Sequence, residues 1–190
     1  MNVEELVALR PQVVFVYSSL EKSELALLEN AGLPVIAVEG ETIEESFEAV
    51  ELVAAILDCP DRGKKYLEDC RNLLRVVRAR VSEIPKSERM RALFAGPKSV
   101  YTVATGEMLQ TRVLEAAGAS NIAADLRGFW ADISPEQLAT WNPDVIFVGS
   151  SLDTSYGLKE IYRNPQFQTV RAIKEKRVYS FPSNIGWWDY

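Results

Sequence analysis

The sequence predicts an α/β protein built as two small parallel-sheet lobes joined by a long rigid helix, with the first lobe incomplete. Three observations carry this. Short β-rich runs alternate with helical segments at both ends of the chain. Residues 61–84 carry one uninterrupted apolar stripe at helical spacing. Residues 2–19 recur at 134–151 without a gap. The expected divisions are a partial N-terminal lobe over 1–60, a connecting helix over 61–86 and a C-terminal lobe over 87–190.

The first element is a strand over 12–17, Gln-Val-Val-Phe-Val-Tyr, a short β-rich run. Ser18 followed by Glu21 has capping-box spacing and predicts a helix over about 20–31, ended by Gly32 and Pro34. A second strand follows over 34–38. Thr42 with Glu45 is a second capping box, opening a helix that runs to about Leu57. Strand, helix, strand, helix with short joints specifies parallel strands covered by helices.

Leu67, Cys70, Leu74, Val77, Val81 and Ile84 then step by three and four, with Lys, Arg, Glu and Asp on the other faces. At about 1.5 Å per residue this helix is about 36 Å long. Alone, the stripe fits a coiled-coil strand, a surface helix or a rod between lobes. After Pro85 the alternation resumes. A strand is expected over 91–95, a helix over 108–117 ended by Gly118, a helix over 134–141, and strands over 145–148 and 178–181. The stretch containing Tyr156, Tyr162, Pro165 and Phe167 reads as irregular.

The repeat favours the rod among the readings of the long helix. NVEELVALRPQVVFVYSS aligns with SPEQLATWNPDVIFVGSS at a constant offset of 132, with eight of eighteen positions identical. The matches include Glu4/Glu136, Pro11/Pro143, Ser18/Ser150 and Ser19/Ser151, which a shared helix-strand hydropathy pattern does not require. A period this long specifies two related lobes rather than a solenoid, and it sets the long helix between them. A strand near 91–95 precedes the second copy, and only Met1 precedes the first. The first sheet is therefore expected to be incomplete, trimmed at both ends relative to a full pair of lobes. Its open edge leaves room for a non-native oligomer.

Composition narrows function by exclusion. The 190 residues are 47% hydrophobic and 25% charged, which is globular composition. No apolar run has the length of a membrane helix. With no histidine, histidine-ligated metals and Ser-His-Asp or Cys-His triads are excluded. A net charge of −6 argues against wrapping a nucleic-acid backbone. Cys59 and Cys70 would lie about 16 Å apart on one helix, so free thiols are expected unless Pro60 turns the chain between them. The N-terminal residues have neither the basic nor the apolar region of a signal peptide, so the protein is cytosolic or this segment starts downstream of one.

The patterns N-x-E-x-L-x-x-L-x-P-x-V-V at 2–14 and S-x-E-Q-L-x-x-W-x-P-D-x-I at 134–146 flank a long helix. With the closing run IYRNPQFQTVRAIKEKRVYSFPSNIGWWDY, they resemble the helical-backbone substrate-binding proteins of ABC importers. Those proteins carry ferric siderophores, haem, cobalamin or, in one branch, molybdate-type oxyanions. The resemblance implies an extracytoplasmic carrier, in the periplasm or anchored at the cell surface, that is not an enzyme. It implies a ligand cleft between two lobes and only small closure motions. It also implies that Glu4 and Glu136 dock onto arginines of a membrane permease. Either carboxylate also suits the first turn of a helix, where it offsets the helix dipole.

Ligands of open parallel sheets sit beyond the carboxyl ends of the strands. That rule and the aromatic content select Tyr17 and Ser18 in the first lobe, and Tyr101, Arg127, Phe129, Trp130, Ser151, Asn184, Trp187 and Trp188 in the second. Arg127 suits a carboxylate, catecholate or oxyanion, or is an ordinary surface residue. Ser150 and Ser151 equally suit caps, and Trp187 and Trp188 equally suit packing under a helix. A chelate that brings its own metal needs no protein ligand and no cofactor. Two other readings stay open: a chelatase-like enzyme on two α/β lobes, and a cytosolic module that associates through 61–84. No phosphate loop supports catalysis. Ala104-Thr105-Gly106-Glu107 reads as a helix entry, or as an anion site of backbone amides.

Overall fold

The computed structural model describes residues 2–96, 99–149 and 154–180, with only the backbone described at 154–157 and 160. The chain divides into two compact units, Met1–Leu67 and Glu68–Tyr190.

The first unit is built from α1 (Val3–Leu9), β1 (Val14–Tyr17), α2 (Lys22–Asn30), β2 (Val35–Val38), α3 (Ile43–Ile56) and the start of α4 (Pro60–Val81). β1 and β2 form a two-stranded parallel sheet, with Val14 opposite Val35 and Tyr17 opposite Val38. Asn2 caps α1 by accepting the Glu5 amide at 3.3 Å. The Thr42 box is complete: the Thr42 hydroxyl accepts the Glu45 amide, and the Glu45 carboxylate accepts the Thr42 amide at 2.8 Å. The Ser18–Glu21 box does not form. α2 starts one turn later, with Glu21 at its cap and no side-chain bond there. The Ser18 amide is taken instead by Val38 O of the neighbouring strand at 2.9 Å, which holds residue 18 in the ladder.

Leu28, Ala54 and Leu67 are the buried apolar residues of this unit. Gly63 of α4 lies so close to α3 that a Cβ there would stand 2.5 Å from Ala54 Cβ. α4 buries the expected stripe as far as Val81: Leu67 is fully buried, and Cys70, Leu74, Val77 and Val81 are half-buried, but the helix ends at Val81 and Ile84 beyond it is exposed. Cys59 and Cys70 are both free, half-buried thiols, so Pro60 does not bring them into a bridge.

The second unit adds β3 (Met90–Ala95), β4 (Thr102–Ala104), α5 (Leu109–Ala116), β5 (Ala119–Asn121), β6 (Trp130–Asp132), α6 (Pro135–Trp141), β7 (Val145–Val148), α7 (Thr154–Arg163), α8 (Arg171–Lys174) and β8 (Val178–Ser180). Its sheet runs β6-β4-β3-β7-β8, with β5 also paired to β3. β3, β5, β7 and β8 are parallel, whereas β4 pairs antiparallel with both β3 and β6. The sheet is therefore mixed rather than purely parallel. The three strands that sequence reading missed have three residues each, too short to show an alternating pattern. The stretch read as irregular contains α7, which buries Ile161, followed by a short 3₁₀ turn that buries Phe167.

Alternate residues of the strands feed two cores. Leu93, Ala95, Ile146, Val148 and Val178 face Leu138, Ile161 and Phe167. Ala92, Phe94 and Val145 face Met108 and Leu114 on the other side. The β3–β7 register is pinned by Asp144. Its amide donates to Arg91 O at 2.8 Å, and its carboxylate accepts the Arg91 amide at 2.8 Å and the Arg171 guanidinium at 2.7 Å. Burial pushes that carboxyl up, but these donors and the two guanidinium charges outweigh it and hold the group below its usual range.

The repeat is structural. α1 and α6 each span seven residues and start at equivalent positions. Each ends on a left-handed residue, Arg10 at φ 50 and Asn142 at φ 47. α2 and α7 begin at Lys22 and Thr154, also 132 apart. Val14 pairs with Val35 as its counterpart Ile146 pairs with Val178.

Candidate functional site

In the first unit β1 ends at Tyr17, whose side chain is exposed. A Cβ on Gly40 would lie 3.6 Å from Tyr17 Cε1, so the loop after β2 passes beside the ring. Ser18 is exposed, and its amide extends the β1–β2 ladder by one bond. Tyr17 and Ser18 thus stand where strand geometry placed them, at the carboxyl end of β1.

In the second unit β3 and β7 end on two glycines. Gly149 donates to Ala95 O at 2.7 Å, and a Cβ on Gly96 (φ 132) would lie 3.4 Å from Gly149 Cα. Among the described residues the end of the sheet is therefore bare backbone at its centre, with side chains supplied from the flanks. Tyr101 is one of them. Its hydroxyl accepts the Asn164 amide group at 3.4 Å, and its ring lies 6.0 Å from Phe167. Trp130 lies 6.3 Å from Phe94, in the core on the other face of the sheet. The structure does not bring Tyr101 and Trp130 together, because Tyr101 packs with the Phe167 core.

Arg127 and Phe129 lie on the approach to β6 and Trp130 is its first residue, so they precede a strand rather than follow one. Their loop is tied down from below. The buried Thr105 donates its hydroxyl to Gly128 O and its amide to Phe129 O at 3.2 Å. Glu107 accepts the Gly128 amide at 3.2 Å and pairs with Arg127 at 3.6 Å. Thr105 is itself held, since its carbonyl accepts the Thr111 hydroxyl at 2.5 Å. Asn121 donates to that hydroxyl at 2.6 Å and to Ala104 O at 2.8 Å, and accepts the Ala123 amide at 3.0 Å. Gly106 lies directly against the Ala124 carbonyl and has no room for a side chain. Buried, fully bonded networks of this kind fix one geometry. Arg127 itself projects outward, with its side chain 90% exposed, as a cation on a rigid loop.

This network is what sequence reading missed. Its signal was the Ala104–Glu107 run, read as a helix entry or an anion site. α5 instead starts at Leu109, and Thr105 spends its hydroxyl on the Arg127 loop.

Glu4 and Glu136 occupy equivalent exposed positions in the first turns of α1 and α6. The backbone amide of Glu136 itself, then the Ser134 hydroxyl and the Gln166 side chain, hold the Glu136 carboxyl below its ordinary range. Gln166 donates to it at 3.4 Å. Ser150, Ser151, Asn184, Trp187 and Trp188 lie outside the described residues. Among the described residues no three Cys, Asp or Glu side chains gather to hold a metal, and no helix is long and apolar enough to cross a membrane.

Residues 1–185 match the family described as periplasmic binding protein. The molybdate-binding protein MolA of Haemophilus influenzae is 25% identical over 211 residues, covering 100% of this chain and 59% of that protein. The vitamin B12-binding protein of Vibrio parahaemolyticus is 24% identical over 186 residues, covering 97% of this chain and 65% of that protein. The solved structure of MolA bound to molybdate matches with a TM-score of 0.84 at 22% identity, covering 100% of this chain and 63% of that one. Helicobacter pylori CeuE with Ni(II) bound matches with a TM-score of 0.84 at 25% identity, covering 96% and 58% respectively. The chain thus spans less than two thirds of the curated relatives it matches.

Proposed function

Because this chain belongs to the periplasmic binding protein family, we propose that it is the extracytoplasmic solute-binding component of an ABC importer, capturing an iron-siderophore, haem or cobalamin-type complex and handing it to a permease unchanged. The observation that carries this reading is the family match over 1–185, on a chain whose β1–β2 and β7–β8 pairs correspond through the repeat. In this reading Tyr17 and Ser18 of the first unit and Arg127 and Phe129 of the second supply aromatic faces and one outward cation; Tyr101 and Trp130, which stand on opposite faces of the second sheet, do not form one surface with each other. Ser151, Asn184, Trp187 and Trp188 complete the set. Glu4 and Glu136 are the permease contacts: two carboxylates, equivalent by repeat, on exposed first turns where each meets a permease arginine.

Oxyanion binding is the second reading, favoured by the match of the whole chain to the molybdate-binding protein. The experiment is a thermal-shift titration with ferric catecholate chelate, haem, cyanocobalamin and molybdate. A concentration-dependent rise with one of the three complexes is the expected result. A rise with molybdate alone moves the assignment to the oxyanion branch. No rise with any of the four, in a chain that unfolds cooperatively, overturns the carrier reading.

A further inference from the structure

We propose that Glu107 is the specificity-determining residue of the candidate site. The edge it forms with Arg127 takes an uncharged complex that carries carboxamide groups, and turns away free oxyanions. This deepens the carrier reading and rests on it, since it names the class of complex that the Arg127 loop receives.

One buried hydroxyl spaces the two charged groups. Thr105 is fully buried, and its Oγ1 donates to Gly128 O and accepts the Glu107 amide at 3.2 Å. The backbone of the Arg127 loop is thereby set against the backbone of Glu107. Glu107 adds a second connection through its side chain, one carboxylate oxygen accepting the Gly128 amide at 3.2 Å. Its other oxygen stands 3.6 Å from the Arg127 guanidinium. A charge-assisted hydrogen bond would measure about 2.7–2.9 Å. The guanidinium N–H groups and this carboxylate oxygen therefore both keep bonding capacity, and both side chains are open to solvent.

The electrostatics oppose an anion. Glu107 offsets the Arg127 charge at short range, and Asp125, two residues before Arg127, adds an exposed carboxylate to the same loop. An oxyanion bound by Arg127 would lie beside the Glu107 carboxylate and be repelled by it. A carboxamide meets no such opposition. Its carbonyl accepts from Arg127 and its N–H donates to the remaining Glu107 oxygen, so one neutral group satisfies both charged ones. Selectivity then comes from the repulsive member of the pair as much as from the attractive one. Phe129, two residues beyond Arg127 and 42% exposed, adds apolar surface for the body of a large ligand. Among the complexes that the carrier reading admits, this chemistry selects the cobalamin type, whose rim carries neutral carboxamides. It disfavours haem, with its carboxylates, and anionic ferric catecholates.

The test titrates cyanocobalamin and sodium molybdate, at fixed ionic strength, into the parent chain and into Glu107→Gln, which keeps an acceptor for the Gly128 amide. NMR reads the Gly128 and Phe129 amide resonances, and a thermal melt reads the midpoint. In the parent, cyanocobalamin is expected to move both amides and raise the midpoint. In Glu107→Gln, cyanocobalamin should bind about fivefold more weakly, because a neutral acceptor replaces a charged one. Molybdate should move the same amides at concentrations about tenfold or more below those the parent needs, because one carboxylate charge is gone. Equal behaviour of parent and variant toward either ligand overturns the proposal. So does a midpoint raised by cyanocobalamin without movement of these amides, or raised by haem, ferric catecholate or molybdate but not by cyanocobalamin; both outcomes leave the carrier reading standing. No rise with any of the four ligands removes the carrier reading and this inference together.

Discussion

Arg10 and Asn142, 132 residues apart, are both left-handed residues that end seven-residue helices, yet only one of them is tied to its surroundings. Asn142 Oδ1 accepts the Arg171 amide at 2.7 Å. Arg10 sits at φ 50 with its amide on Val7 O, and its side chain is exposed. The same backbone solution therefore has two different sequence requirements.

Arg10→Gly is expected to stabilise the chain by about 0.5–1 kcal/mol, because the left-handed region costs a side-chain-bearing residue more than it costs glycine. Asn142→Gly is expected to give no gain or a loss, since it removes the acceptor for Arg171. Urea denaturation of both variants checks the contrast. Equal gains at the two positions would remove any role for the Asn142 bond.

Asp144→Asn should destabilise the chain by about 2 kcal/mol near neutral pH, by weakening hydrogen bonds from a guanidinium and from a strand amide. Because the folded-state pKa lies below the unfolded one, this carboxylate's contribution is fully present above the unfolded value. It is lost as pH falls through the folded value. Stability against pH should thus fall less steeply on the acid side in the variant. A variant that parallels the parent at every pH contradicts this account.

Gly63→Ala should lower the melting temperature despite alanine's higher helix propensity. Its Cβ would lie 2.5 Å from Ala54 Cβ. Overpacking of about 1–3 kcal/mol exceeds the propensity gain of about 1 kcal/mol. Adding Ala54→Gly should restore part of the loss, which a thermal melt of the double variant measures.

Asn121→Ala removes one buried hydrogen bond from each of the Ala104 carbonyl, the Thr111 hydroxyl and the Ala123 amide, while Thr111 keeps its bond to Thr105 O. A loss of about 3 kcal/mol is expected. The Thr105 amide, which bonds Phe129 O, should exchange faster than in the parent. Unchanged exchange there would separate the network from the Arg127 loop.

Reversing both charges, Glu4→Lys with Glu136→Lys, is expected to reduce uptake in cells carrying the importer on the order of tenfold or more, by setting like charges against the permease arginines. Affinity for the ligand, measured on the isolated protein, should not change. Normal uptake would leave these carboxylates as helix-start residues only.

The amino-acid sequence by itself determined the features that are local or repeated. The Thr42 box, the stripe Leu67-Cys70-Leu74-Val77-Val81 and the strands over 145–148 follow from residues within a turn or two of one another. The duplication is visible because eighteen positions keep one register. Tertiary structure decided the rest. β4, β5 and β6 are strands because neighbours pair with them, and three residues carry no period that could announce it. Ser18 is not a helix cap because Val38, far along the chain, takes its amide. Tyr101 and Trp130 stand on opposite faces because Trp130 pairs with Ala104, and Tyr101 lies three positions before Ala104, where the alternation of the strand turns it to the other face. Thr105, Thr111 and Asn121 look like ordinary surface polar residues in the sequence. Only the fold buries them together, where each has a partner ten or more positions away along the chain, and so they fix the Arg127 loop.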